Sequence, residues 1–342
     1  MPGAACVFFP GSAFAGHFRK ESGAQMVDCL VSVFDLSEMD QTRAVAGSES
    51  AATSQEKEGA TMLHDLVDLE RYPIDRPDGA GYGQMIADLR QSLAEDGCAV
   101  LRGFVHAEGL EQLLAEARAA APRAYRSFSR TNAYFSTDNP SLPPGHPVRH
   151  FFDRSNAFIP ADNFPGGGPL RRIYDDPGFL PFIREALDEP ENRFFRYDDP
   201  LADVIVNMAE EGEGFPWHFD TNNHTVTLAI QNAQSGGAFE YSPMLRTSDD
   251  ENTVGVARVL DGDLSGVHRL ELEPGDLQIF RGRYSLHRVA PLRGPRRRFV
   301  AIFSFAERPD MCGGVERTRQ LYGRVLPHHL ERAGLRDDAL MD

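Results

Sequence analysis

From Phe194 onward the chain breaks into short segments, RFFRYDD, DVIVNMA, HTVTLAIQ, GAFEYSP, LELEPG, DLQIFRG and RRRFVAIFSF, separated by Gly, Pro, Asn and Asp. These are strand-length pieces with no helical period between consecutive ones, so a parallel βαβ winding is excluded and an antiparallel sandwich or barrel is expected. Upstream the period changes. Residues 82–96 place Met85, Ile86, Leu89 and Leu93 at helical spacing, and CAVLRGFV after them reads as a short buried strand. Residues 108–120 and 177–188 read as two further helices, the first ended by Pro122. The fold class predicted is α+β, a jelly-roll core with flanking N-terminal helices that need the sheet to bury their apolar stripes.

One domain is expected over residues 62–335: a helical and lid part over about 62–193, the jelly-roll core over about 194–306, and a C-terminal segment over 307–335. The stretch 122–169 is rich in Pro, Asn, Gly and aromatic residues, and a loop of that length reads as a lid over a site. Residues 1–61 end in a Ser/Ala/Glu-rich run without apolar period and read as a flexible extension, with Met62 as an alternative start and 336–342 as a tail.

The formal charge of −16 disfavours attraction to nucleic acid or an anionic membrane, and a small-molecule partner is the starting expectation. Cys6, Cys29, Cys98 and Cys312 form no CxxC pair, which argues against a zinc ribbon or disulfide scaffold and fits a reducing, cytoplasmic compartment. No apolar run is long enough to span a bilayer, and the N-terminus lacks the basic region of a signal peptide. Oligomeric state has no signature in the sequence.

Chemistry concentrates in FPWHFDTNNHTVTL and PGDLQIFRGRYSLHRVAPLRGPRRRFVAIFSF. His218 and Asp220 are two apart, so on extended backbone both project from one face and can share a metal. His287 lies 67 positions beyond Asp220, expected near the end of the strand opened by the Pro274-Gly275-Asp276 turn. Two imidazoles and one carboxylate leave coordination positions free, the facial set that suits non-haem Fe(II), whereas zinc prefers a tetrahedral set richer in nitrogen or sulfur. An isolated HxD would more often be a surface histidine beside a turn. The third element adds weight: Arg296, Arg297 and Arg298 follow His287 by nine to eleven residues at the start of an apolar strand, where an arginine can pair bidentately with a carboxylate.

This pattern resembles the iron(II)/2-oxoglutarate-dependent oxygenases. The run from LHDLVDLERYPIDRP through RSNAFIPAD, GFPWHFDTNNHTVTL, GGAFEYSP and GDLQIFRGRYSLHRV is similar to a bacterial subgroup of free-amino-acid halogenases and hydroxylases acting on lysine. The resemblance implies a double-stranded β-helix, with His218, Asp220 and His287 on iron and a strand-start arginine on 2-oxoglutarate. Arg298 is preferred for that role, with Arg296, on the same strand face, in reserve. Implied cofactors are Fe(II), 2-oxoglutarate as cosubstrate, and O2, with ascorbate stimulatory. Halogenases of the subgroup carry glycine where Asp220 stands, leaving room for chloride. Asp220 therefore implies hydroxylation of an unactivated C–H bond in a small amino-acid-like substrate, with release of succinate and CO2. Desaturation or oxidative cyclisation at the same centre is the alternative, a jelly-roll metal-binding or sensor protein the non-enzymatic one, and a polypeptide substrate a third, which a lid over 122–169 would exclude.

Weaker signals accompany the triad. Arg154, with Arg149, offers a cation for a substrate carboxylate, unless Arg154 pairs with Asp153 or Asp162. Asn222 and Asn223 could hydrogen-bond an ammonium group. Trp217 is expected to pack away from His218, and His224 to be structural. The remaining arginines among Arg281, Arg283, Arg288, Arg293, Arg296 and Arg297 read as solvated or paired charges.

Overall fold

The structure, a computed structural model, describes residues 63–332. The extension over 1–61, the alternative start at Met62 and the tail at 336–342 lie outside the described residues. The N-terminal half carries α1 (Ala80–Asp96), β1 (Cys98–Leu101), α2 (Ala107–Ala120), β2 (Tyr125–Thr131), β3 (Phe152–Ile159), α3 (Pro169–Tyr174) and α4 (Phe179–Leu187). Then come β4 (Phe195–Arg196), β5 (Val204–Ala209), β6 (Phe215–His218), β7 (Thr225–Gln231), β8 (Ser235–Gly236) and β9 (Phe239–Ser242). The chain continues through α5 (Thr253–Leu260), β10 (His268–Leu270), β11 (Leu277–Phe280), β12 (Leu286–Val289), β13 (Leu292–Arg293), β14 (Arg298–Ala306), α6 (Val315–Tyr322) and α7 (Pro327–Glu331).

All pairings are antiparallel. A large sheet runs in the order β1-β11-β7-β14-β5-β3-β2, with β4 added against β14, and a smaller one runs β10-β9-β12-β6. In the C-terminal half β5, β6, β7, β9, β11, β12 and β14 alternate between the large and small sheets, with β10 added beside β9 and β8 and β13 forming a separate two-stranded ladder. This is the winding of the double-stranded β-helix that the resemblance implies.

The nine-residue strand β14 shows how the layers are assembled. Phe299, Ala301, Phe303 and Phe305 belong to the main core, together with buried residues of α1, α2, α3 and α4. Arg298, Val300, Ile302 and Ser304 alternate with them and line an internal cavity. Strand period two thus gives the large sheet an apolar outer face under the helices and a mixed, partly polar inner face. On the helix side, α1 buries Tyr82, Ile86, Leu89 and Leu93 and ends at Gly97, whose φ of 63° a residue with a β-carbon adopts only with strain. The expected helices are present within one or two residues of their predicted ends.

Three expectations are corrected. The 122–169 stretch is not one long lid: β2 and β3 within it pair with each other, and β3 pairs with β5, extending the large sheet at its edge. Its Arg-Ser-Asn-Ala-Phe segment carries too many polar residues to read as strand, yet Arg154 and Asn156 are buried and Ser155 bonds Glu213. Helix α5 interrupts the strand series between β9 and β10. The strand opened by the Pro274-Gly275-Asp276 turn ends at Phe280, and His287 sits on the next strand, β12, in the other sheet.

Phe303 is fully buried, with ring centroids 5.9 Å from Tyr174 and 5.3 Å from Phe179. Phe303→Ala is expected to cost about 3–5 kcal/mol in denaturant unfolding, and a loss below about 1 kcal/mol would contradict this helix-to-sheet packing.

Candidate metal centre

His218 closes β6 and His287 lies on β12, and the two are register partners across the small sheet. Directly opposed residues on adjacent strands project to the same face, so this pairing alone brings the imidazoles together, with ring centroids 4.0 Å apart. Past the end of β6 the backbone is pinned by Phe219 N donating to Ala133 O (2.9 Å) and Asp220 N donating to Gly282 O (3.0 Å). Asp220 Oδ1 then lies 3.5 Å from His218 Nε2 and 3.4 Å from His287 Nε2. Among the described residues this is the one group of three His, Cys, Asp or Glu side chains whose ligand atoms lie mutually within 4.8 Å.

Each ring is oriented by its other nitrogen. His218 Nδ1 donates to Pro216 O and His287 Nδ1 to Ser285 O, both at 2.9 Å. A carbonyl oxygen can only accept, so Nδ1 carries the proton and Nε2 presents its lone pair beside Asp220. Burial, then the neighbouring His287, pushes the His218 imidazole down to about 4, which keeps it neutral at pH 7. For Asp220 burial opposes ionisation, but the two imidazoles outweigh it and hold the carboxyl well below the usual range. Two imidazoles and a carboxylate on one side of an open cavity fit a divalent first-row metal with free positions.

Two further residues shape the carboxylate, and spacing gave no sign of either. Thr225 Oγ1 donates to Asp220 Oδ2. Gly282 lies against the same oxygen, where a β-carbon would come within 1.8 Å of it.

The triad opens into a cavity of about 920 Å³ walled by inner-face residues of both sheets and by α6. Arg298 reaches it from the start of β14. Burial pushes its guanidinium down to about 10, still charged at pH 7, and among the described residues no carboxylate pairs with it. Arg296 does not reach this cavity: it is exposed and donates to Ala233 O at 2.8 Å. Arg297 pairs with Glu210 at 2.8 Å on the surface. The reserve assignment of Arg296 is therefore withdrawn; the alternation that pairs it with Arg298 begins only at Arg298, where the strand starts.

Asn222 lines the cavity. Arg154 is buried over the Phe215 ring, in a pocket that adjoins this cavity through Phe215, and pairs with neither Asp153 nor Asp162. Arg149 turns away, to Asp138 at 3.2 Å and Leu142 O at 3.0 Å, so its carboxylate role is withdrawn. Trp217 packs on the other side of β6 under Arg288, as expected from alternation. His224 meets Glu189 at 2.9 Å and stands outside the triad. Sequence reasoning missed Phe135, Arg317 and Tyr322, which come to the cavity from the supposed lid and the C-terminal segment.

Gly282→Ala must displace Asp220 from its ligand position. A titration of Mn(II) into the protein is expected to show affinity reduced by about one to two orders of magnitude, and unchanged affinity would show that Asp220 does not need that pocket.

Residues 167–322, which hold the triad and Arg298, match the model of the Halogenase D family. No curated protein matches the chain in sequence. Among solved structures, a 2OG-Fe(II) oxygenase family oxidoreductase from Burkholderia pseudomallei is 13% identical, with 65% of this chain and 91% of that one aligned at a TM-score of 0.43. A prolyl-4-hydroxylase from Pseudomonas putida is 16% identical over 66% of this chain and 99% of its own, at 0.41. AviO1 from Streptomyces viridochromogenes Tue57 is 15% identical over 66% and 96%, at 0.46. The family match therefore covers the HxD, the distant histidine and the strand-start arginine that carry the resemblance to iron(II)/2-oxoglutarate oxygenases, while RSNAFIPAD lies ahead of it.

Proposed function

We propose that the protein is an iron(II)/2-oxoglutarate-dependent oxygenase that hydroxylates an unactivated C–H bond of a small amino-acid-like substrate. The observation that carries this reading is the convergence of His218, Asp220 and His287 in one cavity with an unpaired, buried Arg298. A ferrous ion held there, with 2-oxoglutarate and O2, supplies the oxidising power for the C–H bond and releases succinate and CO2.

The chain's own residues bind and orient. His218 and His287 present Nε2, their tautomers fixed by the Pro216 and Ser285 carbonyls. Asp220 supplies the anionic ligand, and Thr225 holds its second oxygen. Arg298 offers a fork of donors to the far carboxylate of 2-oxoglutarate from a buried position, where such a pair is strong. Asn222 and Arg154 supply polar contacts for the substrate. The matched family is named for halogenation, but Asp220 fills the position that halide needs, which favours oxygen transfer.

The test is succinate formation from 2-oxoglutarate by the full chain with Fe(II), ascorbate and a panel of amino acids and derivatives, with product masses recorded. A gain of one oxygen supports hydroxylation, and a loss of two hydrogens would replace it with desaturation or cyclisation. His218→Ala and Asp220→Ala should each abolish turnover, and wild-type-like turnover in either contradicts the assignment. Arg298→Ala should weaken 2-oxoglutarate binding about a hundredfold, about 3 kcal/mol.

A further inference from the structure

Two guanidinium groups near the triad have no carboxylate paired with them among the described residues, although Arg317 feels the charge of Asp220. Arg154, on β3, is 2% exposed, and its Nε, Nη1 and Nη2 have no hydrogen-bond partner. A buried charge left this way is costly unless something binds it. Strand alternation puts Arg154 on the same face of β3 as Phe158, which lines the cavity, and Arg154 itself lines an adjoining pocket that shares Phe215 with it. Its guanidinium lies 4.3 Å from the Phe215 ring centroid and 5.6 Å from that of Phe135, two rings of the cavity wall.

Arg317 reaches the same wall from α6, 4.0 Å from the Phe135 centroid. Its guanidinium donates to Gln320 Oε1 at 2.9 Å, and among the described residues no carboxylate pairs with it. Phe135, which both arginines contact, is held at a φ of 56°, a left-handed conformation costly for a bulky residue. The Asn132 side chain fixes that turn, with Oδ1 accepting from Tyr134 N and Ser136 N at 3.1 Å and Nδ2 donating to Val148 O at 2.6 Å.

The acids nearby are committed elsewhere. Asp199 accepts from Leu201 N (2.8 Å), Gly313 N (2.8 Å) and His329 Nε2 (3.0 Å). The Glu316 side chain is 98% exposed. At the centre, a ferrous ion and Arg298 would balance the charges of Asp220 and 2-oxoglutarate, which leaves the positive charges of Arg154 and Arg317 uncompensated.

Resting on the oxygenase reading, we infer that Arg154 and Arg317 together bind a substrate carrying two anionic groups, one for each guanidinium, so that the site selects acidic amino-acid-like molecules over cationic ones. The second group is a carboxylate or a phosphate, both oxyanions that a guanidinium binds bidentately. Arg317 is the specificity-determining residue, because it brings the second charge.

The experiment uses the full chain loaded with Mn(II) and saturating 2-oxoglutarate, titrated calorimetrically with glutamate, O-phosphoserine, glutamine and lysine. Glutamate or O-phosphoserine should bind at least about tenfold tighter than glutamine or lysine, and whichever binds better identifies the second group. Arg317→Gln should remove that advantage while leaving glutamine and 2-oxoglutarate affinities within about twofold, and Arg317→Lys should restore part of it. Lysine or glutamine binding as well as the acidic compounds, equal losses for glutamate and glutamine in Arg317→Gln, or no binding of either acidic compound would overturn the inference. Failure of 2-oxoglutarate itself to bind the Mn(II) form would instead overturn the oxygenase reading.

Discussion

His218 and His287 face each other because β6 and β12 are neighbours in the small sheet, and their register makes the two residues direct partners. A slip of one residue would send one imidazole to the opposite face. Backbone pairing thus does the work of assembling the centre, and the backbone carbonyls of Pro216 and Ser285 then set which ring nitrogen points inward. Asp220 is added from just beyond the strand, in a pocket that exists because residue 282 has no β-carbon. Ligand positions fixed by main-chain geometry need little reorganisation when a metal binds.

Strand β14 links this centre to the rest of the molecule. One of its faces is Phe299, Ala301, Phe303 and Phe305, packed under the helices, and the other presents Arg298, Val300, Ile302 and Ser304 to the cavity. The helical layer therefore bears directly on the strand that carries Arg298. The C-terminal segment contributes from the opposite side. His329 Nε2 donates to Asp199 Oδ1 at 3.0 Å with both side chains fully buried, tying α7 to the loop ahead of β5. That tie holds in place the segment that brings Arg317 and Tyr322 to the cavity.

Much of this was legible in the sequence, for identifiable reasons. Helices α1, α2 and α4 announce themselves through helix-length segments with apolar residues at helical spacing, α2 also through Pro122 at its end, and the core strands through short apolar runs between turn residues. The HxD spacing and the distant histidine are legible because a metal demands particular ligand types. What resisted reading was tertiary. Strands β2 and β3 hide within a polar stretch, since Asn156 and Arg154 are buried despite being polar. The strand boundary between β11 and β12 matters because it moves His287 to the other sheet, and local pattern does not reveal a sheet change. Arg296 and Arg298 look equivalent by alternation until the strand start separates them. Gly282 and Arg317 have no local signature, because their roles depend on what they approach across the fold.

A metal and 2-oxoglutarate that share one cavity must bind cooperatively, the first providing a ligand site for the second. Anaerobic titration of 2-oxoglutarate into the protein with and without Fe(II) measures that coupling directly. Binding should be at least about tenfold tighter with the metal, a coupling of about 1.4 kcal/mol. Equal affinity in the two states would mean that the triad and Arg298 do not serve a common centre.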